Sequence, residues 1–311
     1  MRTGRIAIFV LPKLTIDMRK ILLPLVAALA LSSVAASAQA VQALEDSKYS
    51  IAVGDVTLTV DAAHGGKVLS YKLGDKEVLN QGRFPNSFGS TFWTSPQREW
   101  NWPPVAEYDT KAFEAAVEGD ALVLTGQKSE RFGYRIRKAF AADPADGAIV
   151  ITYTIVNESG ETRQVAPWEI SRVPNGGVLF FDAASVEPAN NMAGLPFEYK
   201  FGAAWYVMDE ARENRKVNAD GKGWLAFSAN GILFVKKFQD LKPEEPAPAE
   251  AEIQVYANPG KTFVEIEEQG AYTTLQPGGE VSWTVRWYLA PQTGADEPSE
   301  ALLQQALAIV K

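Results

Sequence analysis

The segment Gly89–Pro104, which reads GSTFWTSPQREWNWPP, brings together side chains that could bind a ligand. Large aromatic and polar residues alternate along it, namely Trp93, Gln97, Arg98, Glu99, Trp100, Asn101 and Trp102. Paired prolines and the lack of a sustained period of 2 or 3.6 residues predict an ordered loop. Indole faces can stack on the C–H faces of a sugar ring while polar neighbours pair with its hydroxyls. The alternative is an aromatic loop that closes one end of a β-sandwich, because tryptophan is usually buried whatever its role.

Two glutamates near the C-terminus are candidates for acid–base chemistry. In the segment FVEIEEQ, residues 263–269, strand alternation places Glu265 and Glu267 on one face and the aliphatic residues between them on the other. One face of an antiparallel sheet often meets water. The pair is therefore either a solvated outer surface or part of a site.

Polar residues on two further strands must point in opposite directions. In PWEISR, residues 167–172, Glu169 lies on the face opposite to Arg172, so each needs a partner on a neighbouring strand. In LFVKKF, Lys236 and Lys237 are adjacent, and one of them can enter a cleft while the other faces solvent. A lysine in the cleft would supply a charge for an acidic sugar.

The scarcity of histidine and cysteine excludes several chemistries. The chain has one histidine, His64, and no cysteine. Disulfides, thiolate metal sites and cysteine nucleophiles are therefore excluded, and no G-x-S-x-G segment accompanies His64 for a serine hydrolase triad. We expect His64 to be a turn or strand-edge residue. Phosphate-loop, dinucleotide and EF-hand patterns are also missing, so we predict no cofactor and no metal site.

The N-terminus has the three regions of a secretory signal peptide. Arg19 and Lys20 are followed by an apolar run from Ile21 to about Ala36 and by small residues that end at Ala40. The apolar run is shorter than the roughly 20 residues of a membrane span. We therefore predict that residues 1–40 are an upstream segment and signal peptide, that the protein is periplasmic or secreted, and that the cleaved chain is not inserted in a membrane.

The mature chain is expected to be acidic. Without residues 1–40 it has 25 basic and 37 acidic residues, a net charge of −12. Such a chain is a poor candidate for binding nucleic acid or an anionic membrane. Neutral ligands remain, as do anionic ones held by a local basic cluster, and we expect a monomer.

Strand patterns dominate residues 41–311. Alternating runs recur at short spacing between turn residues, for example at Val56–Val60, Lys67–Leu73, Tyr134–Phe140, Ile232–Phe238 and Val281–Leu289. One helix is predicted, at Pro298–Val310, with Ser299 or Glu297 at its start. The pattern predicts an all-β fold, a single large antiparallel β-sandwich with a short C-terminal helix. A pair of smaller β-domains is the alternative.

Several segments of the mature chain resemble an uncharacterised family of secreted bacterial proteins, which is similar in turn to the galactose mutarotase (aldose 1-epimerase) superfamily. The segments are HGGKVLSYKLGDKEVL, GSTFWTSPQREWNWPP, APWEISRVPNGG, GWLAFSANGILFVKKF and EIQVYANPGKTFVEIEEQGAYTTLQPGGEVSWTVRWYL. The resemblance implies a β-supersandwich with a concave face that holds a sugar. It also implies that Glu267, in Ile266–Gln269, matches the glutamate that takes the proton from the anomeric hydroxyl. The family's central-strand histidine has no match here, because Trp168–Val173 offers Glu169, Ser171 and Arg172 instead.

Three functions remain open at this point. The leading hypothesis is a secreted or periplasmic protein that recognises a mono- or oligosaccharide, with ligand-binding residues Trp93, Gln97, Trp100, Trp102, Arg172, Lys237 and Glu265. The second is an aldose 1-epimerase-like enzyme with Glu267 as general base, and with Glu169 as proton donor if burial raises its pKa. The third is a non-enzymatic envelope protein whose tryptophan loop contacts another protein.

Overall fold

Strands make up about half of the residues described by the computed structural model, which are Met1 and residues 40–311 apart from residues 83, 85, 86 and 261. The predicted signal peptide and upstream segment lie outside the described residues except at their two ends, so the boundary at residue 40 stays a prediction. In chain order the described elements are β1 (Val41–Ala43), β2 (Lys48–Val53), β3 (Val56–Asp61), β4 (Lys67–Leu73), β5 (Lys76–Glu77), β6 (Ser90–Ser95), a 3-10 helix (Gln97–Glu99), α1 (Ala106–Asp109), β7 (Glu114–Glu118), β8 (Ala121–Thr125), β9 (Tyr134–Asp143), β10 (Ala148–Asn157), β11 (Arg163–Val173), β12 (Val178–Phe181), β13 (Val186–Pro188), β14 (Glu198–Lys200), β15 (Ala203–Val207), β16 (Arg215–Ala219), β17 (Trp224–Ala229), β18 (Ile232–Lys237), β19 (Ile253–Ala257), β20 (Val264–Gln269), β21 (Thr273–Leu275), β22 (Glu280–Pro291) and α2 (Glu300–Val310).

Within the described residues these strands form two antiparallel sheets. The first runs β1-β2-β3-β4-β6-β11-β20-β19-β16-β13, with β5 beside β4 and β21 beside β11. The second runs β14-β15-β12-β17-β18-β22-β10-β9-β8-β7. One large apolar core contains residues of both sheets, such as Leu58 and Ile266 of the first and Phe234 and Trp287 of the second. The predicted all-β sandwich is thus confirmed.

Helix α2 covers the outer face of the second sheet, so that this sheet is packed on both sides. The helix carries Leu302, Leu303 and Ala306 into a separate apolar cluster with residues of β12, β15, β17 and β18. Ser299 caps it, because its hydroxyl oxygen accepts a hydrogen bond from the Leu302 amide at 3.3 Å. The sequence-predicted helix is therefore present, two residues shorter at its start.

The segment Gly89–Pro104 is more regular than the predicted loop. Its first part is strand β6, which is buried along its whole length between β4 and β11. The prediction missed this strand because flanking layers cover both of its faces, which removes the polar alternation by which a half-exposed strand is recognised. The chain then passes through a cis Ser95–Pro96 bond into the 3-10 helix, and a second cis bond precedes Pro103.

Neither helix of the described residues has the length and apolar character that crossing a membrane requires.

Candidate functional site

Five neighbouring strands of the first sheet, β6, β11, β20, β19 and β16, present polar and aromatic side chains on the face turned away from the sandwich core. This face is called the cleft face below. Because side chains alternate along a strand and pair across strands, they stand in rows. One row runs from Arg172 through Glu265 and Tyr256 to Lys216, each residue opposite the next.

The next rows on the cleft face hold the other glutamate predicted from the sequence. Glu267 stands between Ile170 and Gln254. Trp168 is opposite Trp93 on one side and Gln269 on the other. Glu265 and Glu267 therefore share a face, as strand alternation predicts.

A cavity of about 310 Å³, referred to as the cleft, lies over these rows. Flat aromatic surfaces and uncharged or charged polar groups alternate around it, which is the lining of a small-molecule site. Its lining residues are Ser87, Trp93, Gln97, Trp102, Trp168, Asn190, Met192, Lys216, Tyr256, Asn258, Phe263 and Glu265.

Glu267 lies just beneath two residues of the cleft lining and is fully buried. Its Oε2 atom accepts hydrogen bonds from Trp168 Nε1 at 2.9 Å and from Lys216 Nζ at 3.1 Å. Its Oε1 atom has no hydrogen-bond partner among the described residues. Burial raises the pKa of Glu267 to about 7, although the Lys216 ammonium opposes this shift. Glu267 can therefore change its protonation state near neutral pH, directly under the cleft.

The second glutamate of this face, Glu265, lines the cleft and is held in place by a buried cation. Its Oε1 atom is 2.7 Å from Nη2 of Arg172. The Arg172 guanidinium also lies 5.8 Å from the ring centres of both Trp93 and Phe263. Together with the Lys216–Glu267 pair, this arrangement balances positive and negative charge around the cleft.

The three predicted tryptophans have different positions. Trp93 lines the cleft and donates from Nε1 to Oδ1 of Asp109 at 2.9 Å. Trp100 is buried behind it, donates to the Thr94 carbonyl and does not line the cleft. Trp102 is 55% exposed and stands edge-on to Trp93, with 6.1 Å between ring centres. Two of the three tryptophans therefore line the cleft.

The structure does not bring Glu169 to the cleft. Its side chain points between the sheets, where Oε1 accepts hydrogen bonds from Ser90, Ser171 and Lys236. Lys236 is likewise buried between the sheets and enters the sandwich interior, whereas the neighbouring Lys237 is partly exposed on the second sheet. Neither lysine lines the cleft, because β18 belongs to the opposite sheet.

Lys216 is the cleft residue that sequence reasoning missed most clearly. Arg215, Lys216 and Asn218 leave only Val217 and Ala219 as apolar residues of β16, so the segment lacks the apolar alternation by which a strand is predicted. Tyr256 and Asn258 also line the cleft and were not predicted from the sequence. The Asn258 amide donates to the Tyr256 hydroxyl at 3.1 Å, and that hydroxyl donates to Asn214 at 2.7 Å.

His64 is outside the cleft lining, and its imidazole is paired with Asp61 at 2.9 Å. Among the described residues, no group of three or more acidic or histidine side chains is arranged to hold a metal ion. The chemistry offered by the cleft itself is therefore stacking, hydrogen bonding and proton exchange through the Glu267–Lys216 pair.

No family model matches this chain, and no curated protein matches it in sequence. Solved structures do share its architecture. A candidate aldose 1-epimerase from Escherichia coli K12 superposes with a TM-score of 0.58 at 15% identity, over 78% of this chain and 99% of that one. A galactose mutarotase-like protein from Lactobacillus casei gives 0.53 at 14% identity, over 78% and 99%. Another from Clostridium acetobutylicum gives 0.54 at 11% identity, over 81% and 98%. At such identities the likeness concerns the fold, and the chain has a galactose mutarotase-like β-sandwich.

Proposed function

We propose that this chain is a secreted or periplasmic protein that recognises a carbohydrate in the cleft. The observation that carries the proposal is the combination of exposed indole surface on Trp102 with Lys216, Glu265 and Asn258 in one cavity. A sugar ring needs an apolar face to stack on and hydrogen-bond partners around its edge. The names of the neighbouring structures, mutarotase-like and epimerase, support the same ligand class.

The balance of charged side chains around the cleft indicates the charge of the preferred sugar. Arg172 and Lys216 each face a glutamate across 2.7 and 3.1 Å, so the cleft presents no excess of positive charge. Lys237, the residue considered for an acidic sugar, is not in the lining. The preferred ligand is therefore an uncharged sugar.

The proposal is tested by tryptophan fluorescence during titration with neutral and acidic mono- and oligosaccharides. We expect a saturable change with at least one neutral sugar, and binding weaker by about fivefold or more in Trp102→Ala, because loss of a stacking surface costs about 1–3 kcal/mol. Tyr199→Ala is the matched control, since Tyr199 is similarly exposed but lies on the second sheet. If no sugar changes the fluorescence and a pull-down recovers a protein partner in stoichiometric amount, the envelope-interaction alternative is favoured.

The Glu267–Lys216 pair supports a second candidate function, an aldose 1-epimerase-like activity. Ring opening needs a base for the anomeric hydroxyl and an acid for the ring oxygen. Glu267, with its pKa near 7, would be the base. Lys216, which lines the cleft, would replace Glu169 as the acid, because Glu169 points into the sandwich interior.

Polarimetry of freshly dissolved aldoses tests this second function. We expect catalysed mutarotation in the wild type and its loss in Glu267→Gln, which keeps an acceptor for Trp168 and Lys216 while removing the base. A wild-type rate equal to the buffer rate for every aldose, in a protein that binds sugar, would leave recognition as the function and reject the epimerase.

A further inference from the structure

A second cavity of about 300 Å³ adjoins the cleft. The two cavities meet at three lining residues that they share, Gln97, Asn190 and Met192. The remaining lining of the second cavity is Arg98, Asn101, Pro248, Ala249 and Glu250. Ligand sites in proteins usually occupy about 300–1,000 Å³, so the cleft alone is at the small end of that range and the joined cavities are well inside it.

Hydrogen bonds attach the second cavity to the same strands that carry the cleft. Glu250 accepts the Gln97 amide on Oε1 at 2.8 Å. On Oε2 it accepts Gln254 at 2.9 Å and Gln269 at 3.3 Å. Gln97, which lines both cavities and is called the ridge below, is thus joined through Glu250 to strands β19 and β20, which carry Gln254 and Gln269. The two cavities therefore have a defined spacing.

The rim of the second cavity holds three non-glycine residues with left-handed backbone conformations. Their φ angles are +60° at Asn101, +56° at Asn190 and +71° at Ala249. Asparagine tolerates this region through local hydrogen bonds, but alanine has no such compensation. Unfavourable backbone conformations of this kind concentrate at binding sites, where the surroundings maintain them.

Two side chains in the second cavity have unused hydrogen-bond donors. Arg98 and Asn101 are exposed, and neither side chain bonds to another described residue. Both line the second cavity and not the cleft, whereas Trp168 and Lys216 line the cleft and not the second cavity. A ligand that extends past the ridge meets a guanidinium and an amide, both of which bind sugar hydroxyls.

We propose that the second cavity is a subsite for the adjacent sugar unit, and that the ligand class is an oligosaccharide of at least two units. This inference rests on the proposed carbohydrate recognition. One unit occupies the cleft between Trp102 and the Glu265–Lys216 row. The next unit crosses the ridge at Gln97 and contacts Arg98 and Asn101.

Calorimetric titration with chains of increasing length tests the subsite. The probes are galactose, galactobiose and galactotriose, together with the glucose, cellobiose and cellotriose series and the maltose and maltotriose series. For the series that binds, we expect the dissociation constant to fall at least tenfold from one unit to two. The double variant Arg98→Ala with Asn101→Gly is expected to lose this gain and to keep the monosaccharide affinity, since glycine retains the left-handed backbone. Lys128→Ala, an exposed cation outside both cavities, is the control.

The outcomes separate the two proposals. Equal affinity for one, two and three units would overturn the subsite and leave carbohydrate recognition intact. A gain with length that survives in the double variant would overturn the assignment of the second unit to this cavity. Binding of no sugar of any length would overturn carbohydrate recognition and the subsite with it.

Discussion

Two buried lysine–glutamate clusters lie back to back on strand β20. Glu267 pairs with Lys216 on the cleft face, whereas the next residue, Glu268, pairs with Lys236 between the sheets. All four side chains are almost completely buried. The two clusters thus share residue types and burial, and they differ in what surrounds them.

The interior cluster, composed of Glu169, Glu268 and Lys236, has two acids for one base. Lys236 Nζ is 2.7 Å from a carboxylate oxygen of each glutamate, and the two glutamates stand opposite one another on β11 and β20. Burial and the neighbouring Glu169 carboxylate raise the pKa of Glu268 well above its usual value. A protonated Glu268 makes the cluster electrically neutral, which is what an interior without solvent requires.

The cleft pair consists of one acidic and one basic side chain, Glu267 and Lys216, and it adjoins the cleft. Lys216 and Trp168, which hold Glu267, are themselves part of the cleft lining. Burial alone therefore does not distinguish the two clusters, whereas access to a cavity does. A raised pKa beside a cavity is a feature of candidate functional sites, whereas the interior cluster is enclosed by the two sheets.

Removing the interior lysine should have the largest effect on stability. We expect Lys236→Met to lower the free energy of unfolding by about 3–5 kcal/mol, because it leaves Glu169 without its buried counter-charge. Urea unfolding measures the change. The control is Lys237→Met, a partly exposed neighbour on the same strand, which should stay within about 0.5 kcal/mol of the wild type. A loss in Lys236→Met as small as the one expected for Lys237→Met would show that the interior cluster is not required for stability.

The pH dependence of stability should distinguish the cleft pair. Because the pKa of Glu267 is raised from 4.5 to about 7, the folded chain keeps a proton that the unfolded chain has lost between these values. Stability therefore falls as the pH rises through this window, by up to about 3 kcal/mol from this group.

Urea unfolding at about pH 5 and about pH 7.5 measures this fall. Glu252, whose pKa burial also raises to about 7, acts in the same direction in both proteins, so it does not disturb the comparison with Glu267→Gln. The fall should be smaller in Glu267→Gln. An identical fall in wild type and variant would contradict the raised pKa of Glu267.

Loss of the indole donor to Glu267 should have a moderate effect. Trp168→Phe leaves Glu267 with Lys216 alone, and we expect the free energy of unfolding to drop by about 1–3 kcal/mol. Trp100→Phe removes a hydrogen bond to the uncharged carbonyl of Thr94 and should cost about 1 kcal/mol. At a pH above the pKa of about 7, a larger loss in Trp100→Phe than in Trp168→Phe would argue against a charged Glu267 in the folded state.

The smallest effect on stability is expected at the exposed edge of the cleft. Trp102→Ala should change the free energy of unfolding by less than about 0.5 kcal/mol, because the indole is more than half exposed. Urea unfolding of Trp102→Ala measures its stability, and the fluorescence titration measures its sugar affinity. Destabilisation by several kcal/mol would make Trp102 part of the packing and remove it as a ligand surface.

Much of the fold and part of the cleft could be predicted from the sequence. Short alternating strands predicted the sandwich class, and Ser299, one of the two predicted starts of the C-terminal helix, is its N-cap. Alternation in FVEIEEQ also placed Glu265 and Glu267 on one face. Strand β6 was missed because it is covered on both faces, and Lys216 was missed because its strand has only two apolar residues.

Which face of a strand meets a cavity could not be predicted in this way. Alternation separates Glu169 from Arg172, and Glu267 from Glu268, but it does not say which member of each pair faces the core. The answer depends on strands far away in sequence, since Trp168 reaches Glu267 across 99 residues and Lys216 reaches it across 51.

The amino-acid sequence by itself determined the all-β class, the helix, the exclusion of cysteine chemistry and the relative facing of neighbouring side chains, because these depend on composition and local periodicity. The tertiary structure decided that Trp93, Trp102, Lys216 and Glu265 surround one cavity, and that Glu169 and Lys236 lie in the interior. The physical reason is that the cleft depends on strand order. Strands β11, β20, β19 and β16 pair although they are far apart in sequence, and the alternation within one strand does not predict which strands it pairs with.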